Sequence, residues 1–206
     1  MNRKIKVFAT LSLCALSAAF SGCGNQPEPV VNVTAIKGNV TAKTSSAKDF
    51  ATVAAEQKLC SGDAIKTGDE SSADIEIISD KSQVRLSSNT FLEIRNFTEK
   101  ELRQISGIAI YKITPQNREL KIQTPQGMAT VLGTVLRIDS SDTETTVCVE
   151  QGKVGFSKKA NQQILIEAGM KYSTSFTTDA AQPIDPFELE KLFNEKDGLK
   201  PIINPR

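Results

Sequence analysis

The feature that most limits what this chain can fold into is the stretch from Leu120 to Phe156. Short runs of alternating apolar residues (Leu120–Gln123, Ala129–Leu132, Val135–Ile138, Thr146–Glu150 and Val154–Phe156) are separated by Thr124-Pro125-Gln126-Gly127, Gly133-Thr134, Ser140-Ser141-Asp142 and Gln151-Gly152-Lys153. Alternating β-branched residues suit a pleated surface with one buried face, and Gly, Pro, Ser and Asp clusters supply turns. No run is long enough for a helix. The stretch reads as a meander of short strands, with Val147–Val154 as a hairpin.

The same rhythm occupies the first half. Val30–Ile36 and Val40–Ala42 predict a hairpin about Lys37-Gly38-Asn39. Thr44–Glu56 reads as a loop, with room for a short helix in Ala47–Gln57. From Leu59 to Ile94, Ile65, Ala73, Ile75 and Ile77 face one way, and Asp74 and Glu76 the other. Glu99–Gln104 suggests a helical turn before a strand at Ile108–Ile113. Ile164–Ile166 and Tyr172–Phe176 close the series. Many short strands at even spacing predict an all-β fold: stacked short antiparallel strands, as a sandwich, jelly roll or solenoid-like stack. No strand alternates with a long helix, so α/β folds are excluded.

One helix is expected near the end. Asp185-Pro186-Phe187-Glu188 sets a capping residue, an N1 proline and a first-turn carboxylate in order. The helix should run from Pro186 to about Asp197, with Gly198 as its stop. Phe187, Leu189, Leu192 and Phe193 form an apolar stripe. It either covers the β domain or docks a protein partner.

The N-terminus reads as a targeting segment. Arg3, Lys4 and Lys6 precede the apolar run Val7–Phe20, which is shorter than the roughly 20 residues a membrane span needs. Phe20-Ser21-Gly22-Cys23 resembles a bacterial lipobox, which implies cleavage before Cys23 and lipidation of that residue. Several acyl chains, at about 0.8 kcal/mol per buried CH₂, anchor a protein stably. An ordinary cleaved signal with an incidental Cys23 is the alternative. Gly24 after the cysteine favours the outer membrane by analogy with enteric bacteria. Residues 1–22 are thus expected as signal peptide, 23–30 as lipidated cysteine and tether, 31–178 as β domain, and 179–206 as C-terminal helix and tail.

With Cys14 in the leader and Cys23 lipidated, Cys60 and Cys148 remain. In an oxidising compartment the two could form one disulfide, contributing roughly 4.5 kcal/mol in the chain-entropy model. Two separate buried thiols are the alternative. Without histidine, two sulfurs leave a tetrahedral metal site half filled.

Histidine's absence also removes the commonest general base. No phosphate-cradling loop or dinucleotide fingerprint is present. Asp63, Asp69, Glu70 and Asp74 could in principle seat Ca²⁺, but their spacing fits solvated turns better. Asp142 and Glu144 read as exposed charges at a hairpin tip. The 25 basic and 24 acidic residues nearly balance, and Lys153, Lys158 and Lys159 make only a mild patch, so no nucleic-acid surface is expected. The sequence offers no catalytic residue, no cofactor and no metal.

The order of these weak elements carries a resemblance. Leu59-Cys60-Ser61-Gly62-Asp63-Ala64-Ile65-Lys66-Thr67-Gly68, then Ala73–Ile77 and Val84–Ile94, then Thr124-Pro125-Gln126-Gly127, Gly133-Thr134 and Val147–Val154 resemble the FecR domain from about Val31 to Phe176. Taken with the lipobox at Cys23 and the lack of a catalytic constellation, the resemblance implies a lipid-anchored, non-enzymatic protein of the cell envelope that faces the periplasm and binds a protein partner in signalling or envelope assembly. The best-known FecR regulators add a cytoplasmic sigma-factor-binding segment, a membrane helix and a receptor-facing region. Here a leader and lipobox stand in place of the first two, so direct sigma-factor regulation is not expected. The other reading is a structural or carbohydrate-contacting module near peptidoglycan or surface polysaccharide, with cell-wall polymer as partner.

Overall fold

The structure, a computed structural model, describes residues 28–158 and 163–194. Two β layers face each other across one core. The chain reaches both by crossing between them every one or two strands. β1 (Pro29–Lys37) is in the front layer, β2 (Val40–Lys43) and β3 (Ala51–Thr52) in the back, β4 (Lys58–Cys60) in front and β5 (Ala64–Thr67) in the back. β6 (Ser72–Ile77) and β7 (Gln83–Leu86) are in front and β8 (Phe91–Ile94) in the back. β9 (Glu101–Lys112) belongs to both. Then come β10 (Leu120–Gln123) and β11 (Gly127–Val131) in the back, β12 (Val135–Ser140) and β13 (Thr145–Gln151) in front, β14 (Lys153–Lys158) and β15 (Gln163–Glu167) in the back, and β16 (Met170–Ser173) and β17 (Gln182–Pro183) in front. One helix, α1 (Pro186–Phe193), ends the described chain.

Hydrogen bonding orders the front layer β4-β1-β6-β7-β9-β12-β13-β16-β17. The back layer runs β3-β2-β5-β8-β9-β10-β11-β14-β15. Every pair is antiparallel except β9 with β10. Apart from β4 and β3, which sit outside β1 and β2 at one end, strand order follows chain order down the stack, which is the solenoid-like form of the expected all-β fold. The layers do not close into a barrel.

Alternation builds the core. Ile75, Leu86, Tyr111, Leu136, Ile138 and Val149 point inward from the front layer; Ile65, Leu92, Leu102, Ile122, Phe156 and Ile166 meet them from the back. The rings of Phe156 and Tyr172 meet between the layers at 5.6 Å. Burying a side chain of this size contributes about 2 kcal/mol.

The crossings need sharp corners, and glycines with positive φ (Gly38, Gly62, Gly107, Gly152, Gly169) stand at five of them. Gly107 shows why. It bends β9 from the back layer to the front at φ +88°, and a Cβ there would lie 2.4 Å from the Cα of Thr90. Positive φ and that contact together leave room only for glycine. The bend is tied by buried polar groups. The Gln104 amide donates to the carbonyls of Gly107 (2.8 Å) and Ile138 (3.1 Å) and accepts from the Tyr111 hydroxyl at 2.9 Å.

Four local expectations change. Lys37–Asn39 is no hairpin: β1 pairs with β4 and β6, β2 with β3 and β5, and the turn carries the chain between layers. Gln151–Lys153 is likewise a crossing, because β13 pairs with β12 and β16, and β14 with β11 and β15. The helical turn lies at Phe97–Glu99, and Glu101–Gln104 already belongs to β9. Ala47–Gln57 holds the short strand β3 and no helix.

Candidate interaction surface

Helix α1 starts as its sequence requires. The Asp185 carboxylate accepts the amides of Phe187 (2.9 Å) and Glu188 (3.3 Å), with Pro186 in the first turn. Its resting place is the outer surface of the front layer. There the register aligns Ile110, Arg137, Cys148 and Lys171 across four neighbouring strands. Phe193, with Leu189, Leu192 and Ile184, packs on Ile110, Val135 and Cys148. Two flanking cations fasten it: Arg137 donates to the Leu192 carbonyl at 3.2 Å, and Lys171 pairs with Glu188 at 2.8 Å.

The expected stripe therefore divides. Leu189 and Leu192, half-buried, and Phe193, buried, pack on the protein's own sheet. Phe187, 77% exposed, points away from that contact. Helical spacing carries the same division: at about 100° per residue Phe187 stands more than 100° around the helix from each of the other three. The expected continuation of the helix to Asp197 and Gly198 lies outside the described residues, as do Cys23 and the leader.

Cys60 and Cys148 are not joined by a disulfide. Cys60 lies in β4, at one end of the front layer, and Cys148 in β13, six strands along. At a spacing of about 4.8 Å per strand that is roughly 29 Å, against about 4.4–6.8 Å between the Cα atoms of a bridged pair. The thiols are separate, as in the alternative, but only Cys148 is buried and Cys60 is half-buried. Burial beneath α1 pushes the Cys148 thiol up to about 11, against the pull of Arg137 and Lys171. Burial, then the neighbouring Asp63 charge, also raises Cys60.

The acidic residues do not converge. Asp63 is buried rather than solvated, and its carboxylate accepts the amides of Ser45 (2.9 Å) and Cys60 (2.8 Å), pinning the corner into β5. Asp74 is gripped by Arg85 through two bonds of 2.7 Å. Asp69 accepts from Asn89 at 2.9 Å. Glu144 departs from the expected exposed charge: it is half-buried and accepts from the hydroxyls of Ser173 and Ser175, which hold its carboxyl below the usual range. Asp142 is exposed. Lys153 pairs with Glu167 at 2.9 Å and Lys158 pairs with Asp179; Lys159 lies outside the described residues. Among the described residues, no three metal-ligating side chains gather.

The Asp74–Arg85 pair lines a groove of about 680 Å³ on the uncovered half of the front layer, with Ser71, Ser72, Ser87 and Ser88 on its polar side and Ala35 and Ile36 on its apolar side. No motif in the sequence marks this groove. The signal was present, since Asp74 and Arg85 both fall on outward positions of two strands joined by a short turn, where cross-strand partners meet.

No curated protein matches the chain. Two solved structures of a candidate anti-sigma factor from Parabacteroides distasonis ATCC 8503 share the fold. Each has a TM-score of 0.55, at 15% and 16% identity, over 66% of this chain. The match spans 65% and 64% of those chains. Residues 63–155, from the corner at Asp63 to the outward-facing Gly155 of β14, match the FecR protein family, and over that span this chain is a FecR domain.

Proposed function

We propose that the chain is a lipid-anchored, non-enzymatic protein of the cell envelope whose FecR domain binds a protein partner in signalling or envelope assembly. The FecR match over residues 63–155 carries this reading. The fold shared with a candidate anti-sigma factor supports a regulatory role over a catalytic one. Cys23 is the anchor in this reading, holding the domain at the periplasmic face of the outer membrane. No described helix is long and apolar enough to cross a membrane. Phe187 is the proposed contact on α1, being exposed while the rest of its stripe is engaged.

A second reading has its own observation. The groove over Asp74 and Arg85 gathers hydroxyls around a fixed charge pair, the chemistry that hydrogen-bonds polyols and sugars. In that reading the domain contacts a cell-wall polymer.

The test is membrane fractionation with fatty-acid labelling, followed by capture from envelope extracts. The first reading expects label lost in Cys23→Ala, and a defined envelope protein retained by the native chain but not by Phe187→Asp. Unlabelled Cys23 in a cytosolic fraction would overturn the anchor. Retention on purified cell-wall polymer, abolished by Arg85→Ala and indifferent to Phe187→Asp, would establish the second reading instead.

A further inference from the structure

Each layer ends in strands with one open backbone edge, and the four ends are built differently. β3 and β17 are two residues long, β17 carries Pro183, and β4 is three residues long with Lys58 at its start. Short edges, proline and lysine all discourage another strand from pairing. β15 has none of these. Its five residues pair only with β14 among the described residues, and it has no proline and no lysine.

The residues around it are also unusual. The described residues include three exposed large apolar side chains, Leu132, Leu165 and Phe187. Two of them, Leu165 on β15 and Leu132 after β11, border one groove of about 570 Å³ over Gly152 and Gly155. A second groove, of about 470 Å³, follows β15 between Leu165 and the segment Asp179–Ala181. The edge is thus open both along its backbone and over its outward side chain.

The sequence of β15 complements itself. Gln163, Leu165 and Glu167 are exposed, and Ile164 and Ile166 are buried. Antiparallel pairing of two copies about Leu165 sets leucine against leucine on the outer face. Gln163 then meets the second copy's Glu167, an amide donor against a carboxylate. Ile164 meets the second copy's Ile166 on the core face. All five residues pair and no like charges oppose each other. A one-residue slip would set outward residues against inward ones. Sliding until Glu167 meets Glu167 would oppose two carboxylates, which is unfavourable.

We propose that β15 is the docking edge for a second copy of this chain, paired antiparallel about Leu165, so that the back layers of two molecules run on into each other. The paired edge satisfies main-chain groups of β15 that no described residue beyond β14 bonds, and it covers Leu165.

Sedimentation equilibrium on the full chain tests this. The native chain should dimerise, and Leu165→Lys, which sets two ammonium groups face to face at an outward position, should weaken the dimer by roughly tenfold or more with an unchanged far-UV spectrum. Register is read by oxidation. Directly opposed residues in an antiparallel pair have Cβ atoms about 4.5–5.5 Å apart, so Leu165→Cys should crosslink above the background of the unsubstituted chain. The double variant Gln163→Cys/Glu167→Cys should crosslink as well, while each of its single variants should not. A native chain that stays monomeric at sub-millimolar concentration overturns the proposal. So does a dimer indifferent to Leu165→Lys, or one in which Gln163→Cys alone crosslinks as well as Leu165→Cys.

Discussion

The outer face of the front layer has two halves that solve the same problem in opposite ways. On β6, β7 and the turn between them the outward side is ionic: Asp74 holds Arg85, and Glu76 holds Lys81 of the turn at 3.0 Å. That half satisfies itself and stands uncovered. On β9, β12 and β13 the outward positions include Ile110, Val135 and Cys148, and they are buried because α1 lies on them. Charges paired with each other need no covering helix, whereas apolar rows do. The helix is that cover, and its stripe is mostly consumed by it. Surfaces available to other molecules must therefore be sought elsewhere, at Phe187, at the polar groove and along the β15 edge.

The comparison can be broken most forcefully at Phe193. Its truncation in Phe193→Ala should cost about 4 kcal/mol, and it should make Cys148 react quickly with a thiol reagent, read by labelling rate and by denaturant midpoint. Slow labelling in that variant would mean the helix is not what shields the thiol. On the ionic half, Asp74→Ala leaves a mostly buried guanidinium without its carboxylate and should cost about 3 kcal/mol. A loss below half that value in urea unfolding would place the pair among weak surface bridges.

The pH response separates the halves further. The Cys148 thiol titrates at about 11 in the folded protein against an ordinary 9.0. Between those values the unfolded chain has released a proton that the folded one retains, so stability contributed below pH 9 is lost as pH rises towards 11. The expected loss is about 2 kcal/mol, read as the difference between the native chain and Cys148→Ala, which removes the thiol. Equal slopes in both would show the thiol to be solvated. Removing the helix cap in Asp185→Ala should cost about 1 kcal/mol and increase labelling of Cys148 modestly. The smallest effect is expected at Phe187→Ser, within about 0.5 kcal/mol, since its ring faces water. A larger loss would place Phe187 in the helix contact after all.

Much of this was legible beforehand. The alternation of Ile65, Ile75 and Ile77 identified the core face, and Asp185-Pro186 placed the start of the helix, because both signals are local. The fate of Asp63 was not legible. Its amide partners, Ser45 and Cys60, flank a corner whose shape exists only after β4 and β5 take different layers. Nor could Cys60 and Cys148 be separated from sequence, since each sits in a strand of the same layer and only strand order sets the distance between them. The opening of the β15 edge belongs to the same class, being a statement about which strand comes last.

By itself the sequence determined most of the strands, though not β3 or the first half of β9, along with which side chains turn inward and that a capped helix follows. Those properties follow from period-two alternation, turn residues and capping chemistry, which act within a few residues. Tertiary structure alone decided whether each turn doubles back or crosses over. Lys37–Asn39 and Gln151–Lys153 have hairpin chemistry and yet carry the chain between layers. A glycine at positive φ permits both paths, and the choice falls to whichever strand buries its inward residues and fills the ladder beside it.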